Sequence, residues 1–265
     1  MTSKRRRSRR RKILLIILVV VLVAVGFYFS FPYLKNFYNK FFGDGRNDVT
    51  GEFPMQVYRE KYPQYSLFGI DVSEYQGDID WETLLDKNKV DFVFVRATAG
   101  DDTEDKYFKE NWRQLKRHSV PRGAYHYYRP NENSTYQANL YIRTVKLESG
   151  DFVPVLDIEK YSKVQSIASL KNGLLNWLSI VEDHYGVVPM IYTYSNYYEK
   201  VLSDDKRFSR YPIWIANFSN SDASGKLPSG WSFWQISENG RLSGIDENVD
   251  IDVCCSAEKF RSLRK

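Results

Sequence analysis

Two cysteines, three histidines and three methionines in 265 residues leave few soft or imidazole ligands from which to build a metal centre. The cysteines are adjacent, Cys254 and Cys255, so they cannot tie distant parts of a fold together, and they have no metal-ligand spacing. They read as two small apolar residues near a strand end, with a vicinal disulfide as the alternative in an oxidising compartment. No glycine-rich nucleotide fingerprint follows the first predicted strand. A basic surface is missing too. The net charge of +5 is concentrated in Lys4 to Lys12, which holds eight basic residues and no acid, and the rest of the chain sets 30 basic residues against 33 acidic ones. Nothing outside that run suggests a footprint for nucleic acid.

What is abundant is apolar and aromatic: 43% of residues are hydrophobic and 16% aromatic, enough to bury one sizeable core. Directly after the basic run, Ile13 to Phe31 (ILLIILVVVLVAVGFYFSF) carries no charge. As a helix it would span roughly 28 Å, about one bilayer core. With Lys and Arg retained in the cytoplasm, the remainder is expected on the far side of the membrane, in the periplasm or at the cell surface. A cleaved signal peptide, giving a secreted protein, is the alternative; no small-residue cleavage site precedes Pro32. The expected organisation is a basic tail (1–12), a transmembrane helix (13–31), a juxtamembrane spacer (32–66) and a globular domain (67–265).

Within that domain, β-branched and aromatic runs predict eight strands: Phe68 to Ser73, Asp91 to Thr98, Gly123 to Tyr128, Phe152 to Glu159, Val188 to Tyr194, Pro212 to Phe218, Trp231 to Ser237 and Asn248 to Val253. Helical periodicity occupies Asp105 to His118, Tyr136 to Glu148 and Ser166 to Tyr185. Alternation of strands and helices argues for a parallel sheet. The last gaps are short and rich in Ser, Gly, Asn and Asp, so the pattern fits an eight-stranded α/β barrel whose final third has lost its helices. An open doubly wound sheet is the runner-up.

Reactive groups of α/β barrels stand at the C-terminal ends of strands. Four carboxylates qualify: Asp71 in FGIDVS, Asp157 and Glu159 in FVPVLDIE, and Asp250 in NVDIDV. Closure of the barrel brings Asp71 beside Asp250, and Asp157 and Glu159, two residues apart, share a face. Crowding such groups raises one pKa and leaves another group ionised, which is what glycosidic-bond cleavage asks for. A Mg²⁺ or Ca²⁺ site on the same carboxylates is the competing chemistry, although Arg96 is the only basic residue read inside a strand and no phosphate clamp accompanies it. No cofactor is expected. Aromatic residues at strand ends, namely Tyr125, Tyr127, Tyr128, Tyr192, Tyr194, Trp214 and Trp234, could pack on sugar rings, and alternation should turn about half of them inward. His126 reads as a core residue or a support for the site.

Together GIDVSEYQGDIDW (Gly69 to Trp81), PRGAYHYYRP (Pro121 to Pro130), PVLDIE (Pro154 to Glu159), MIYTYSNYY (Met190 to Tyr198), PIWIANF (Pro212 to Phe218), and WQIS followed by NVDID resemble glycoside hydrolase family 25, the Chalaropsis-type lysozymes. Six blocks in the right order cover Phe68 to Val253. The resemblance implies a flattened TIM-like barrel of five β/α units plus three strands. It also implies an N-acetylmuramidase acting on the β-1,4 bond between N-acetylmuramic acid and N-acetylglucosamine of peptidoglycan. The family's D-x-E motif falls on Asp157 and Glu159, making Glu159 the general acid and base, with Asp157 steadying an attacking substrate acetamido group; Asp71 and Asp250 complete the set. Substrate contacts are expected from Tyr125, Tyr128, Tyr192, Trp214, Trp234 and Gln235. One departure stands out. Where the family often reads K-A-T-E-G, this chain has Arg96, Ala97, Thr98, Ala99 and Gly100, without the acidic residue. A barrel that binds wall sugars without cutting them is the alternative outside enzyme chemistry.

Overall fold

Side-chain alternation along the strands of the computed structural model, which describes residues 55–218 and 227–265, sorts the interior into two cores. Eight strands close a barrel: β1 (Leu67–Val72), β2 (Phe92–Ala99), β4 (Arg122–Tyr127), β5 (Val155–Asp157), β6 (Met190–Tyr194), β7 (Ile213–Ala216), β8 (Phe233–Gly240) and β9 (Val249–Cys254). The two-residue β3 (Thr103–Glu104) extends the end of β2. Closure comes from β1, which pairs with β2 on one side and with β9 on the other. All barrel neighbours are parallel except those of β9, which runs antiparallel to β8 and β1. The connection 241–248 is too short for the crossover that a parallel partner needs.

Helices α2 (Trp81–Asn88), α3 (Phe108–Arg117), α4 (Ser134–Thr144) and α5 (Ile167–Tyr185) follow β1, β2/β3, β4 and β5. Side chains of Asp80, Asn133 and Ser166 accept from backbone amides at the starts of α2, α4 and α5, the caps expected of these residue types. After β6 the chain makes only a short helix, Ser195–Tyr197, continued by a π-turn over Tyr198–Leu202. The last three strands have no helix after β7 and β8 among the described residues.

The inner core fills the lower barrel with Phe92, Phe94, Val155, Met190, Phe233 and Phe152, closed from below by Phe260 and Leu263 at the C-terminal helix Ala257–Ser262. Glycine makes the filling fit. Gly69 and Gly123 are the register partners of Phe92 and Phe94, and a Cβ on either would lie 2.4 Å or less from the facing ring. The outer core lies between the barrel and its surrounding helices, where Ile70, Val95, Leu156, Ile191 and Ile215 meet residues such as Leu84, Leu115, Tyr141 and Trp177.

The basic run 1–12, the apolar segment 13–31 and the expected spacer up to residue 54 lie outside the described residues; among those described, no helix is long and apolar enough to cross a membrane. The end of the spacer behaves differently from a linker. Met55 is fully buried, and α1 (Gln56–Lys61) sends Arg59 to Asp91 at 2.6 Å. Tyr62 and Tyr65 lay their rings edge-on against Trp234 at 5.5 and 6.2 Å. Residues 55–66 thus cover the outer face of β8 at Trp234. The apolar signal was too short to show this: a one-turn helix has no periodicity to read.

Candidate active site

At the C-terminal ends of the parallel strands the inward side chains change from apolar to acidic. Asp71 and Asp250 are register partners on β1 and β9, as barrel closure requires. Asp157 ends β5, and Glu159 follows it on the same side. All four line one cleft of about 410 Å³, with Tyr125, Tyr127, Tyr192 and Trp214 in its walls. The expected constellation is therefore assembled from strands far apart in sequence.

Burial dominates the electrostatics. Asp71 and Asp157 are only 6% and 5% exposed, and an ionised carboxylate there loses its hydration. Burial, offset by hydrogen bonds from Gln235 and Asp252 and reinforced by Glu159, pushes the Asp71 pKa up to about 7. Asp250 rises to about 9 through burial and then through the charges of Asp71, Glu238 and Glu159. Asp157 is held well above the carboxylate range by burial, then by Glu159 and Asp71. Glu159 is raised by burial, with the Lys160 ammonium acting in the opposite direction. Near neutral pH the cleft consequently holds protons as well as charges. Burial favours Asp157 as a proton holder over the less buried Glu159. Asp157 Oδ1 is also buried without a hydrogen-bond partner among the described residues, which adds to the cost of ionising it.

Beneath this set, a chain of hydrogen bonds runs around the barrel. The Tyr192 hydroxyl donates to Gln235 Oε1 at 2.8 Å, and Gln235 Nε2 donates to Asp71 Oδ2 at 2.6 Å. On the other side Trp214 Nε1 donates to Asp252 Oδ1 at 2.8 Å. Asp252 Oδ2 has no hydrogen-bond donor among the described residues, and burial, then the charges of Asp71 and Asp250, hold this carboxyl well above the carboxylate range. Gln235 therefore acts by holding Asp71 from below. Asp252, fully buried, was not among the residues singled out from sequence, although NVDID repeats the two-residue spacing of D-x-E and points both acids inward.

Two of the expected substrate contacts are turned away from the cleft. Trp234 lies between the inward Phe233 and Gln235 and therefore faces outward, where Tyr62, Tyr65 and Trp231 pack on it. Tyr128 follows the inward Tyr127, joins the outer core and directs its hydroxyl towards Gly173 and Ser134. His126, also outward, is fully buried between Thr98 Oγ1 at 2.7 Å and Gln137 Oε1 at 3.0 Å, and stacks on Trp177. Burial lowers its pKa to about 3, so it is a neutral core residue. Cys254 and Cys255 are free thiols away from the cleft, the first facing the inner core.

The rim supplies residues that sequence reasoning did not select. Tyr75 is 73% exposed, an unusual state for a large aromatic residue, and stands on Arg96, whose guanidinium carbon is 5.0 Å from the ring centre. Arg96 is fixed by Asp105 at 2.9 Å and Glu74 at 2.8 Å, and Asp105 also accepts from the Glu74 amide. Ala99 contributes no carboxylate to the cleft lining, where it stands with Thr103 and Arg129. Among the described residues no three His, Cys, Asp or Glu side chains are grouped as a metal site.

The arrangement matches known proteins. Residues 70–245 fit the model of glycosyl hydrolases family 25. Lysozyme M1 of Streptomyces globisporus is 30% identical over 195 residues, covering 69% of this chain and 65% of that protein. The Escherichia coli protein YegX is 35% identical over 207 residues, covering 76% and 74%. A family 25 glycosyl hydrolase from Bacillus anthracis superimposes with a TM-score of 0.68 at 29% identity, over 76% of this chain and 95% of that one. With the acidic strand ends converging in a closed barrel of that kind, the chain belongs to glycosyl hydrolase family 25.

Proposed function

We propose that this peptidoglycan hydrolase is a muramidase, cutting the β-1,4 bond between N-acetylmuramic acid and N-acetylglucosamine, with Glu159 giving the leaving oxygen its proton. The observation that carries this is the Asp157 and Glu159 pair at the end of β5. Both pKa values are raised by burial, and one Asp157 oxygen is buried without a partner. An acetamido N–H of the substrate bonded to the Asp157 carboxylate, which lines the cleft, would stabilise its anion and leave the proton to Glu159. The acetamido oxygen can then attack the anomeric carbon as the glycosidic oxygen departs with the Glu159 proton. Glu159, now ionised, takes a proton from the water that opens the resulting ring intermediate, a substrate-assisted variant of the retaining scheme. Asp71 and Asp250 flank this pair, and Tyr125, Tyr192 and Trp214 provide the walls.

The test is digestion of purified peptidoglycan by the full chain, with mass analysis of the fragments. N-acetylmuramic acid at the new reducing ends, formed equally with and without chelator, supports the reading. N-acetylglucosamine there overturns the bond assignment, binding without release indicates a sugar-binding barrel, and loss of activity on chelation indicates metal-dependent hydrolysis.

The catalytic domain is proposed to work outside the cytoplasm, anchored by Ile13 to Phe31. The support is the order of eight basic residues followed by nineteen without charge. Protease added to intact spheroplasts should remove the domain; protection until lysis would overturn the placement.

A further inference from the structure

An acidic cleft facing an anionic polymer poses an electrostatic problem. Five acidic side chains line the cleft, and only Glu74 among them pairs with a cation, Arg96, while muramic acid sugars carry a carboxylate on their lactyl arm or, when that arm is amidated, on the peptide attached to it. Three cations reach the cleft lining: Arg96, Arg129 and Lys160. Two of them are already neutralised. Arg96 is shared between Asp105 and Glu74, and Arg129 between Asp102 at 3.0 Å and Glu132 at 3.4 Å, with Thr103 taking a further bond. Lys160 is different. It is exposed, directly follows Glu159, and forms no ion pair with a carboxylate among the described residues. Its Nζ stands 5.4 Å from the centre of the Tyr127 ring and interacts with the Tyr127 hydroxyl, a neutral partner that fixes the ammonium without cancelling its charge.

We propose that Lys160, held by Tyr127 at the cleft rim, is a specificity-determining residue that binds a carboxylate carried by the glycan beside the bond being cut. The inference rests on the muramidase reading and sharpens it: the enzyme selects acidic glycan strands over neutral ones of the same backbone. The physical basis is the shortage of free positive charge. An incoming carboxylate would otherwise meet the partly protonated carboxyls of Asp71, Asp157, Glu159 and Asp250, which offer no positive charge, or cations already paired, whereas the Lys160 ammonium at the rim offers a charge-assisted hydrogen bond. Lys160 would act through binding; its charge also lowers the Glu159 pKa, an influence that is the same for charged and amidated glycans and cancels in their ratio.

The experiment compares the full-length wild type, Lys160→Met and Lys160→Arg on four soluble glycans: denuded strands with a free lactyl carboxylate, the same strands with that carboxylate amidated, strands bearing stem peptides, and neutral N-acetylglucosamine oligomers. A charged hydrogen bond of this kind corresponds to about a tenfold change in affinity. Lys160→Met should therefore raise KM for carboxylate-bearing glycans about tenfold relative to the amidated ones, with kcat changing much less, and Lys160→Arg should restore most of the difference. A penalty confined to denuded strands assigns the contact to the lactyl carboxylate, and one confined to peptide-bearing strands assigns it to the stem peptide. An equal change on charged and amidated glycans overturns the inference while leaving the muramidase reading intact. A wild type that cuts none of the muramic acid substrates overturns both.

Discussion

At the N-terminal end of the barrel the buried Arg122 meets Asp151 at 2.8 Å, lies 4.0 Å above the Trp112 ring and donates to the Trp112 carbonyl. At the C-terminal end Asp71, Asp157 and Asp252 are buried to a similar degree, yet none of them ion-pairs with a cation among the described residues. One end of the barrel satisfies its charge and the other crowds it. The lower arrangement supports the fold, because a paired and hydrogen-bonded ion adds no open demand for protons. The upper one holds raised pKa values in reserve for a substrate, which is where perturbed carboxylates belong in an enzyme.

The largest effect expected from breaking this contrast is at Glu159. Glu159→Gln keeps the shape and removes the transferable proton, so kcat on peptidoglycan should fall by about 10² to 10⁴ while binding persists. Asp157→Asn should be nearly as damaging. By removing a like charge it should also lower the Glu159 pKa, moving the alkaline limb of the pH profile to lower pH. Near-normal turnover of Glu159→Gln would falsify the assignment of the acid.

At the satisfied end, Arg122→Met should cost about 3 to 5 kcal/mol of stability by leaving Asp151 buried without its partner. Thermal unfolding should register a drop on the order of 10 °C. The kcat of the protein that remains folded should be retained, and a loss of kcat without loss of stability would erase the distinction between the two ends.

Smaller again is the contribution of the segment before β1. A chain beginning at Tyr65 lacks the buried Met55 and the Arg59 to Asp91 pair. Burial of one Met side chain contributes about 1.5 to 3 kcal/mol. The chain beginning at Met55 should therefore melt about 5 to 10 °C higher than the one beginning at Tyr65, and equal melting temperatures would return residues 55–66 to the status of a spacer.

The last effect is a slope with pH. Asp71 binds its proton more tightly folded, at about 7, than its ordinary value of 3.8, and Asp250 does so up to about 9. Between those limits the folded state carries more protons than the unfolded state, so stability is fully present at acid pH and declines as pH rises. Asp71→Asn should flatten the decline between about pH 4 and 7. A melting temperature that instead climbs with pH across that window would show that the cleft carboxylates are not held protonated.

Much of this was legible in the chain. Apolar runs ending in acids located the strands and their reactive ends, because a carboxylate in an apolar strand is costly unless a site uses it. Asp71, Asp157, Glu159 and Asp250 do line one cleft. Strand parity was readable only where a strand's inward residue was already known. Trp234 and Tyr128 were expected in the cleft and face the outer core, each one position from an inward neighbour. Asp252 was legible by the same spacing as the D-x-E motif but went unselected.

Local signals in the chain set the eight strands, three of the four helices between the first five parallel strands and the acids that end the strands, because period, capping and composition are local properties. The eight-residue helix Trp81–Asn88 was too short to read. The tertiary structure set the antiparallel run of β9, which makes Asp71 and Asp250 register partners. It alone turned residues 55–66 into a cover for Trp234. It also left Lys160 as a cleft cation without a carboxylate while pairing Arg96 and Arg129. These outcomes depend on which surfaces are left uncovered and which charges find partners once the barrel closes, and no local stretch of chain encodes that.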